Sequence, residues 1–332
     1  MILITGATGL LGGHLLYRFR ESATQIIAIF RTESSKDKVR RIFESYDKES
    51  GHLIENFNWV KADVLDVPSL NLVFNNVKQV YHCAAAIEAN NFEELEKINV
   101  TGTANVINTA LHHNVEKFCH VSSIAALGDA PAGKPTSEED FFNLDGLNSD
   151  YAITKYGAEM EAWRATQEGM KVIIVNPGVI LGEGDFNSGS GKLISRTAGG
   201  NKFYTTGGSG FIDVRDVVHY MVNLMESDVE NERFILVSNN LNYKTVLDQI
   251  AGHLKVKKPS IKLSAWFLHF LSILSQPIGW LGGSSLTSAT VKSLTSETYY
   301  SNDKIKAVLP NYETKHFDQT IQRVTTFYKN LN

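Results

Sequence analysis

The chain has 332 residues, 43% of them hydrophobic and 20% charged, with a formal net charge of -4. That length supports one large domain or two modest ones around a buried core, and the composition excludes general disorder. The acidic balance leaves no positive field to recruit nucleic acid, so a small-molecule partner is expected.

The chain begins directly on "MILITG", with no charged leader followed by an apolar stretch, and a cytoplasmic protein is expected. "ILIT" reads as a first strand, followed by a helical pattern through Arg20. Next come a strand "QIIAIF" (25–30), a polar basic helix near 35–47 and a strand in "FNWVKAD" (57–63). "VKQVYHCAA" (77–85), a helix through "NVTGTANVINTALHH", "EKFCHVSS" (116–123), a helix near 151–168 and "KVIIVNPG" (171–178) complete the series. Strands that are hydrophobic without alternation are covered on both faces, which predicts a parallel sheet with helices on either side: a doubly wound α/β (Rossmann) domain. Cys83 and Cys119 lie inside such runs without metal-ligand spacing; they read as small core residues of a reducing compartment, and no metal is expected.

In a doubly wound sheet, ligands bind beyond the carboxyl ends of the strands, where strand order reverses. "TGATGLLGG" sits there, directly after the first strand, with Gly6, Gly9 and Gly12 in a G-x-x-G-x-x-G spacing. The first glycine permits a tight turn, the second a close approach of pyrophosphate, the third helix packing on the sheet; the helix N-terminus favours the phosphate charge. Thr8, Leu10 and Leu11 complete this candidate dinucleotide loop. At the end of the second strand, where an acidic residue would hold the ribose hydroxyl of NAD, stand Phe30 and Arg31. Arg31 suits a 2'-phosphate, so NADP is the expected cofactor, with NAD as the alternative. Asp63, with Val64 beside it, is placed either to meet the adenine edge or to serve a turn.

Two segments, "YAITK" (151–155) and "YSNDK" (300–304), place a tyrosine four residues before a lysine. On a helix this spacing sets phenol and ammonium side by side, where the cation favours a phenolate. The first copy sits between two strands, on the side of the crevice where Ser122 and Ser123 end the preceding strand. The second lies far from the glycine loop, and Tyr300 and Lys304 read as coincidence.

The segment 182–210 is glycine-rich, reading as loops around a short helix; "FIDVRDVVHYMVNLME" (211–226) reads as a return to the sheet domain, with a further strand at 233–238. The predicted organisation is a dinucleotide-binding domain of 1–178 plus 211–240 and a smaller, mostly helical substrate domain of 179–210 plus 241–332. Arg215 and Asp216 are expected to form an ion pair tying the two together, with direct substrate contact as the alternative. "SAWFLHFLSILSQPIGWLGG" (264–283) is apolar but interrupted by His269, Ser272, Ser275, Gln276 and Pro277, so it falls short of a membrane span. It reads as a buried helix or the lid of an apolar pocket, with attachment to a membrane surface as the alternative.

Together "TGATGLLG", "DVLD" (63–66), "HCAAA" (82–86), "NVTGTANV" (99–106), "VSS" (121–123), "YAITK", "NPG" (176–178) and "FIDVRDV" (211–217) resemble the extended short-chain dehydrogenases and reductases, over most of the chain. The resemblance implies that Tyr151 is the general acid or base, with Lys155 lowering its pKa and holding the nicotinamide ribose. It implies that Ser123 holds the substrate oxygen and that Asn99, as a catalytic residue, fixes a helix near the site and relays protons, a helix cap being its alternative role. It further implies that Ala84 and Ala85 line the cofactor, that Pro177 and Gly178 lie against the nicotinamide, and that a homodimer forms through the helices near 90–115 and 151–168. Asp213 stands where many sugar-nucleotide epimerases of the family have histidine, and "LNSDY" lacks the proline that often precedes their tyrosine. Both departures lean toward the branch resembling dihydroflavonol reductases and 3β-hydroxysteroid dehydrogenases. The function expected is therefore NADP-dependent reduction of an apolar carbonyl, or the reverse oxidation. A sugar-nucleotide epimerase or dehydratase holding NAD is the alternative, and a non-catalytic dinucleotide sensor is the third.

Overall fold

The structure, a computed structural model, describes residues 1–280 and 287–331, with the side chains of 273–280 outside the description. Six short strands alternate with helices over the first half: β1 (Ile2–Thr5), β2 (Ile26–Phe30), β3 (Asn58–Lys61), β4 (Gln79–His82), β5 (Lys117–Val121) and β6 (Lys171–Pro177). After them come β7 (Val179–Leu181), β8 (Phe203–Tyr204), β9 (Gly208–Asp213), β10 (Glu232–Leu236), β11 (Asn239–Asn242) and β12 (Ile261–Lys262). A seven-stranded sheet, all of it parallel, has the order β10-β6-β5-β4-β1-β2-β3. The chain runs outward from β1 through β2 to β3, then returns to place β4 on the other side of β1. The order thus reverses between β1 and β4, and the crevice beyond their carboxyl ends is where a doubly wound sheet takes its ligand.

Alternate side chains of each strand feed two cores. Ile4, Ala28, Ile173 and Val175 pack with the helices Leu10–Arg18, Lys36–Glu44 and Val214–Glu226 on one face. Leu3, Ile29, Val172 and Ile174 pack with Val67–Val73, Gly102–His112 and Asp150–Gln167 on the other. Both faces being covered explains why β2 is buried along its whole length and reads as unbroken apolar sequence.

A smaller unit carries a three-stranded sheet, β11-β9-β7, and a third core around Ile194, Phe211, Ile250 and Ile321. Here the sequence expectation needs one adjustment: "FID" belongs to β9 of this small sheet, and the return to the large sheet starts only with the helix Val214–Glu226. The two sheets meet where a Cβ on Gly178 would lie 2.4 Å from the Gly210 carbonyl oxygen, so this approach itself requires glycine.

The apolar segment forms the helix Ala265–Trp280, and its "LGG" at 281–283 lies outside the described residues. Over residues 265–272, whose side chains are described, it is not a buried helix: Leu268 and Ser272 face inward, while Trp266 is 76% exposed and Phe267, Phe270 and Leu271 face outward with it. Composition gave the helix its apolar character but did not say which face the fold would cover. No helix among the described residues is long and apolar enough to cross a membrane.

Candidate active site

The glycine turn connects β1 to the Leu10–Arg18 helix. Gly6 has φ +64°, and a Cβ there would come within 2.6 Å of the Ala84 backbone nitrogen, so the turn presses against the end of β4. A Cβ on Gly12 would meet the Gly6 carbonyl oxygen at 2.2 Å, while Gly9 is exposed. Gly9 is the N-cap and supplies no side-chain cap, which leaves first-turn N–H groups free for an anion. This tight, uncapped cradle fits a pyrophosphate. Thr8 is half-buried at its rim. The side chains of Leu10 and Leu11 are occupied elsewhere, Leu10 against Gly184 and Leu11 in the core, so both face a ligand only through their backbone.

Behind the turn runs a buried hydrogen-bond chain. The Thr103 hydroxyl donates to the Asn99 carbonyl at 2.6 Å, so it accepts from His82 Nε2 at 2.9 Å, and His82 Nδ1 then accepts from the Thr5 hydroxyl at 2.7 Å. Burial lowers the His82 pKa to about 3, with Lys155 adding to the effect, so the imidazole is neutral. Asn99 lies in a π-helical turn, Lys97–Thr101, and is no helix cap. Its Oδ1 accepts from the Ala86 N–H at 2.7 Å, and its Nδ2 donates to the Ala86 carbonyl at 2.9 Å and to the Thr154 hydroxyl at 3.0 Å. The loop Ala84–Ala86 is thereby tied to the helix that carries Tyr151. Ala84 is half-buried against the glycine turn, and Ala85 beside it is exposed.

The helix Asp150–Gln167 starts at Ser149, whose hydroxyl accepts from the Ala152 N–H at 3.2 Å. Burial raises the Tyr151 pKa, and the nearby Ser123 hydroxyl offsets part of the rise, leaving the phenol protonated. One helical turn on, the Lys155 ammonium donates to the Val121 carbonyl at 2.7 Å. Burial brings Lys155 down to about 8, opposed by the charge of Glu159. The second Tyr-Lys copy is taken apart by the fold: Tyr300 bridges to Thr136, and Lys304, on a separate helix, pairs with Glu232.

The two serines part company. Ser122 is buried and donates to Glu159 Oε2 at 2.6 Å, leaving Ser123 at the crevice. Glu159 also accepts from Asn176 Nδ2 at 2.8 Å and Arg233 Nη1 at 3.1 Å, and Asn176 holds the Ser123 carbonyl at 3.0 Å. The sequence reading missed Glu159, Asn176, Arg233, His82 and Thr154. His82, Asn176 and Thr154 stand inside the motifs "HCAAA", "NPG" and "YAITK", and Glu159 continues the four-residue spacing Tyr151, Lys155, Glu159 along one helix face.

Arg31 follows β2, exposed and without an ion-pair or hydrogen-bond partner among the described residues. Asp63 serves its turn, its Oδ1 accepting from the Leu65 N–H at 3.0 Å. The Val64 side chain is buried beneath Gly102. Pro177 is buried in β6, and Gly178 meets Gly210 as described, which accounts for that glycine by packing alone.

Across the crevice, Lys192 reaches Glu88 at 2.6 Å and a Cβ on Gly189 would lie 3.1 Å from Ile87. Arg215 does not pair with Asp216. It binds the buried Glu183 at 2.7 Å, as Arg323 does at 2.6 Å, while Arg323 also binds Asp213 at 2.8 Å; Asp216 instead accepts from the Tyr312 hydroxyl at 2.6 Å. Burial opposes charge on Glu183, and the cations around it outweigh burial and hold its pKa below the ordinary value. The acceptor that the sequence could not supply for Arg215 lies in the loop after β7. Among the described residues, no three His, Cys, Asp or Glu side chains gather as a metal site.

A doubly wound parallel sheet, a glycine turn at its switch point and a Ser-Tyr-Lys cluster beside that turn define an α/β enzyme of the dinucleotide-binding class. The model of the NAD dependent epimerase/dehydratase family matches residues 2–236, and the chain belongs to that family, an extended short-chain dehydrogenase/reductase superfamily of NAD(P)-dependent enzymes. It is 27% identical over 92% of its length to a putative dihydroflavonol 4-reductase of Synechocystis, covering 87% of that protein. It is 26% identical over 83% of its length to sterol demethylase protein B of Methylococcus capsulatus, covering 81% of it. The crystal structure of gox2253 superposes with a TM-score of 0.84 at 25% identity, covering all of this chain and 98% of that one.

Proposed function

We propose that the protein is an NADPH-dependent reductase of a small to medium, largely apolar carbonyl compound. The observation that carries the reading is the Tyr151 phenol, near the Ser123 hydroxyl and one helical turn from the buried Lys155 ammonium, on the helix tied through Asn99 to the loop behind the glycine turn. NADPH, when bound, supplies the hydride. The Ser123 and Tyr151 hydroxyls hold the substrate oxygen, and as the carbonyl carbon is reduced the phenolic proton passes to that oxygen, giving the alcohol. Lys155 stabilises the phenolate that remains, and Glu159 favours the charged form of Lys155. Gly6, Gly9, Gly12 and the N–H groups of Leu10 and Leu11 take the pyrophosphate, Arg31 the 2'-phosphate, and Asp63 and Val64 flank the adenine. The apolar substrate class is supported by the likeness to a dihydroflavonol reductase and a sterol demethylase protein.

The test is fluorescence titration with NADPH and NADH, after a check for cofactor released on denaturation, followed by a panel of aromatic and alicyclic ketones and aldehydes. Tighter binding of NADPH to empty protein and NADPH oxidation by an apolar carbonyl are expected. NAD retained through purification, with a sugar nucleotide interconverted and no NADPH consumed, would refute the reading.

A further inference from the structure

The second feature of this chain lies away from the crevice. Between Asp248 and Glu297 there is no acidic residue, yet five lysines, in a chain whose net charge is -4. The helix Ala265–Trp280 within that stretch carries no charged residue at all. At about 100° per residue, Trp266, Phe267, Phe270 and Leu271 form one face, opposite the buried Leu268 and Ser272. These four are 36% to 76% exposed, and the rings of Trp266 and Phe270 lie parallel at 6.0 Å. A surface helix ordinarily turns polar residues outward; this one turns aromatic residues outward.

The apolar face does not stand alone. Three residues before the helix, β12 pairs with β8 in a register that sets Ile261 beside Phe203, and these two are 45% and 47% exposed. Lys202 and Lys262 adjoin them in this strand pair, Lys255 and Lys257 lie a few residues before β12, and all four are exposed with no ion pair among the described residues. Exposed aromatic rings flanked by unpaired lysines, with no acid in the stretch, match the two demands of an anionic bilayer surface: apolar side chains for the acyl boundary and cations for the headgroups. A second copy of the chain fits poorly, since it would bring like charges together without a compensating carboxylate.

We propose that this face seats on an anionic lipid surface, with the helix lying in the plane of the interface. The proposal goes beyond the catalytic reading and does not depend on it. The full chain is tested by cosedimentation with phosphatidylcholine vesicles containing phosphatidylglycerol, against vesicles of phosphatidylcholine alone. Binding is expected to the anionic vesicles, falling as salt is raised. Lys257→Ala and Lys262→Ala should each weaken it about fivefold, the effect of one surface lysine. A Trp266→Ala, Phe270→Ala double variant should lose more than tenfold, with thermal unfolding and NADPH affinity unchanged. No sedimentation with anionic vesicles would overturn the proposal, as would undiminished binding of the double variant. Concentration-dependent dimerisation of the native chain that the double variant abolishes would overturn it in favour of a second copy.

Discussion

Glu159 and Arg233 meet at 3.1 Å inside the protein, the carboxylate fully buried, on elements 74 residues apart in the chain. The pair joins the helix of Tyr151 and Lys155 to the edge strand β10, and Arg233 continues to the Glu138 carbonyl at 2.8 Å. A buried ion pair need not add stability overall, but removing one partner strands the other.

Arg233→Met should therefore cost roughly 3–5 kcal/mol, seen as a lower Tm in thermal unfolding. Glu159→Gln should act on chemistry as well. Glu159 raises the pKa of Lys155, which burial has brought to about 8, so its loss moves the pKa lower. The alkaline fall in NADPH-dependent turnover should shift to lower pH in Glu159→Gln, and an unmoved limb would separate Glu159 from Lys155.

Acid should unfold the protein through buried histidines. Burial lowers His14 to about 4 and His82 to about 3 from 6.5. Between those values and 6.5 the unfolded chain binds more protons than the folded one, so stability is complete above pH 6.5 and is lost as pH falls toward 4. His14 alone accounts for roughly 3 kcal/mol of that loss at its low end. Urea melts across pH 7 to 4 check the sign; stability rising on acidification would contradict it.

His120 offers the opposite kind of change. Both its ring nitrogens are buried without a hydrogen-bond partner among the described residues. His120→Leu removes two unsatisfied groups at similar volume and should raise Tm by about 2–4 °C, corresponding to roughly 1 kcal/mol. A fall in Tm would mean those nitrogens have partners.

Arg31→Asp should reverse the cofactor ratio. The exposed guanidinium has no other partner among the described residues, and an aspartate there accepts ribose hydroxyls and repels a 2'-phosphate. Titration should show NADPH affinity falling by tenfold or more while NADH affinity rises. An unchanged ratio would remove Arg31 from the nucleotide site.

The alternation of buried strands and helices was legible because a two-sided parallel sheet writes itself as unbroken apolar runs such as Ile26–Phe30. The glycine turn was legible because Gly6 has a positive φ and Gly12 touches backbone, two constraints that leave no other residue type. What supports Tyr151 was not. Glu159 and Arg233 meet only after β10 joins β6, and His82 looks like any strand residue until Thr5 and Thr103 close on its two nitrogens. β7 has three residues, two of them half-buried, and carries no periodic signal of its own. The partner of Arg215 was misread because Asp216 is its chain neighbour, whereas Glu183 reaches it from a loop 32 residues away.

The central claim is that the phenolic proton of Tyr151 is delivered to a substrate oxygen. Its most direct measurement is steady-state carbonyl reduction by Tyr151→Phe, with NADPH affinity measured on the same protein. Turnover should fall by about 10²–10⁴, the range for a positioned proton donor, with NADPH affinity nearly unchanged. Turnover within a few-fold of the native chain, or an equal loss of NADPH affinity, would contradict the claim and make Tyr151 a structural residue.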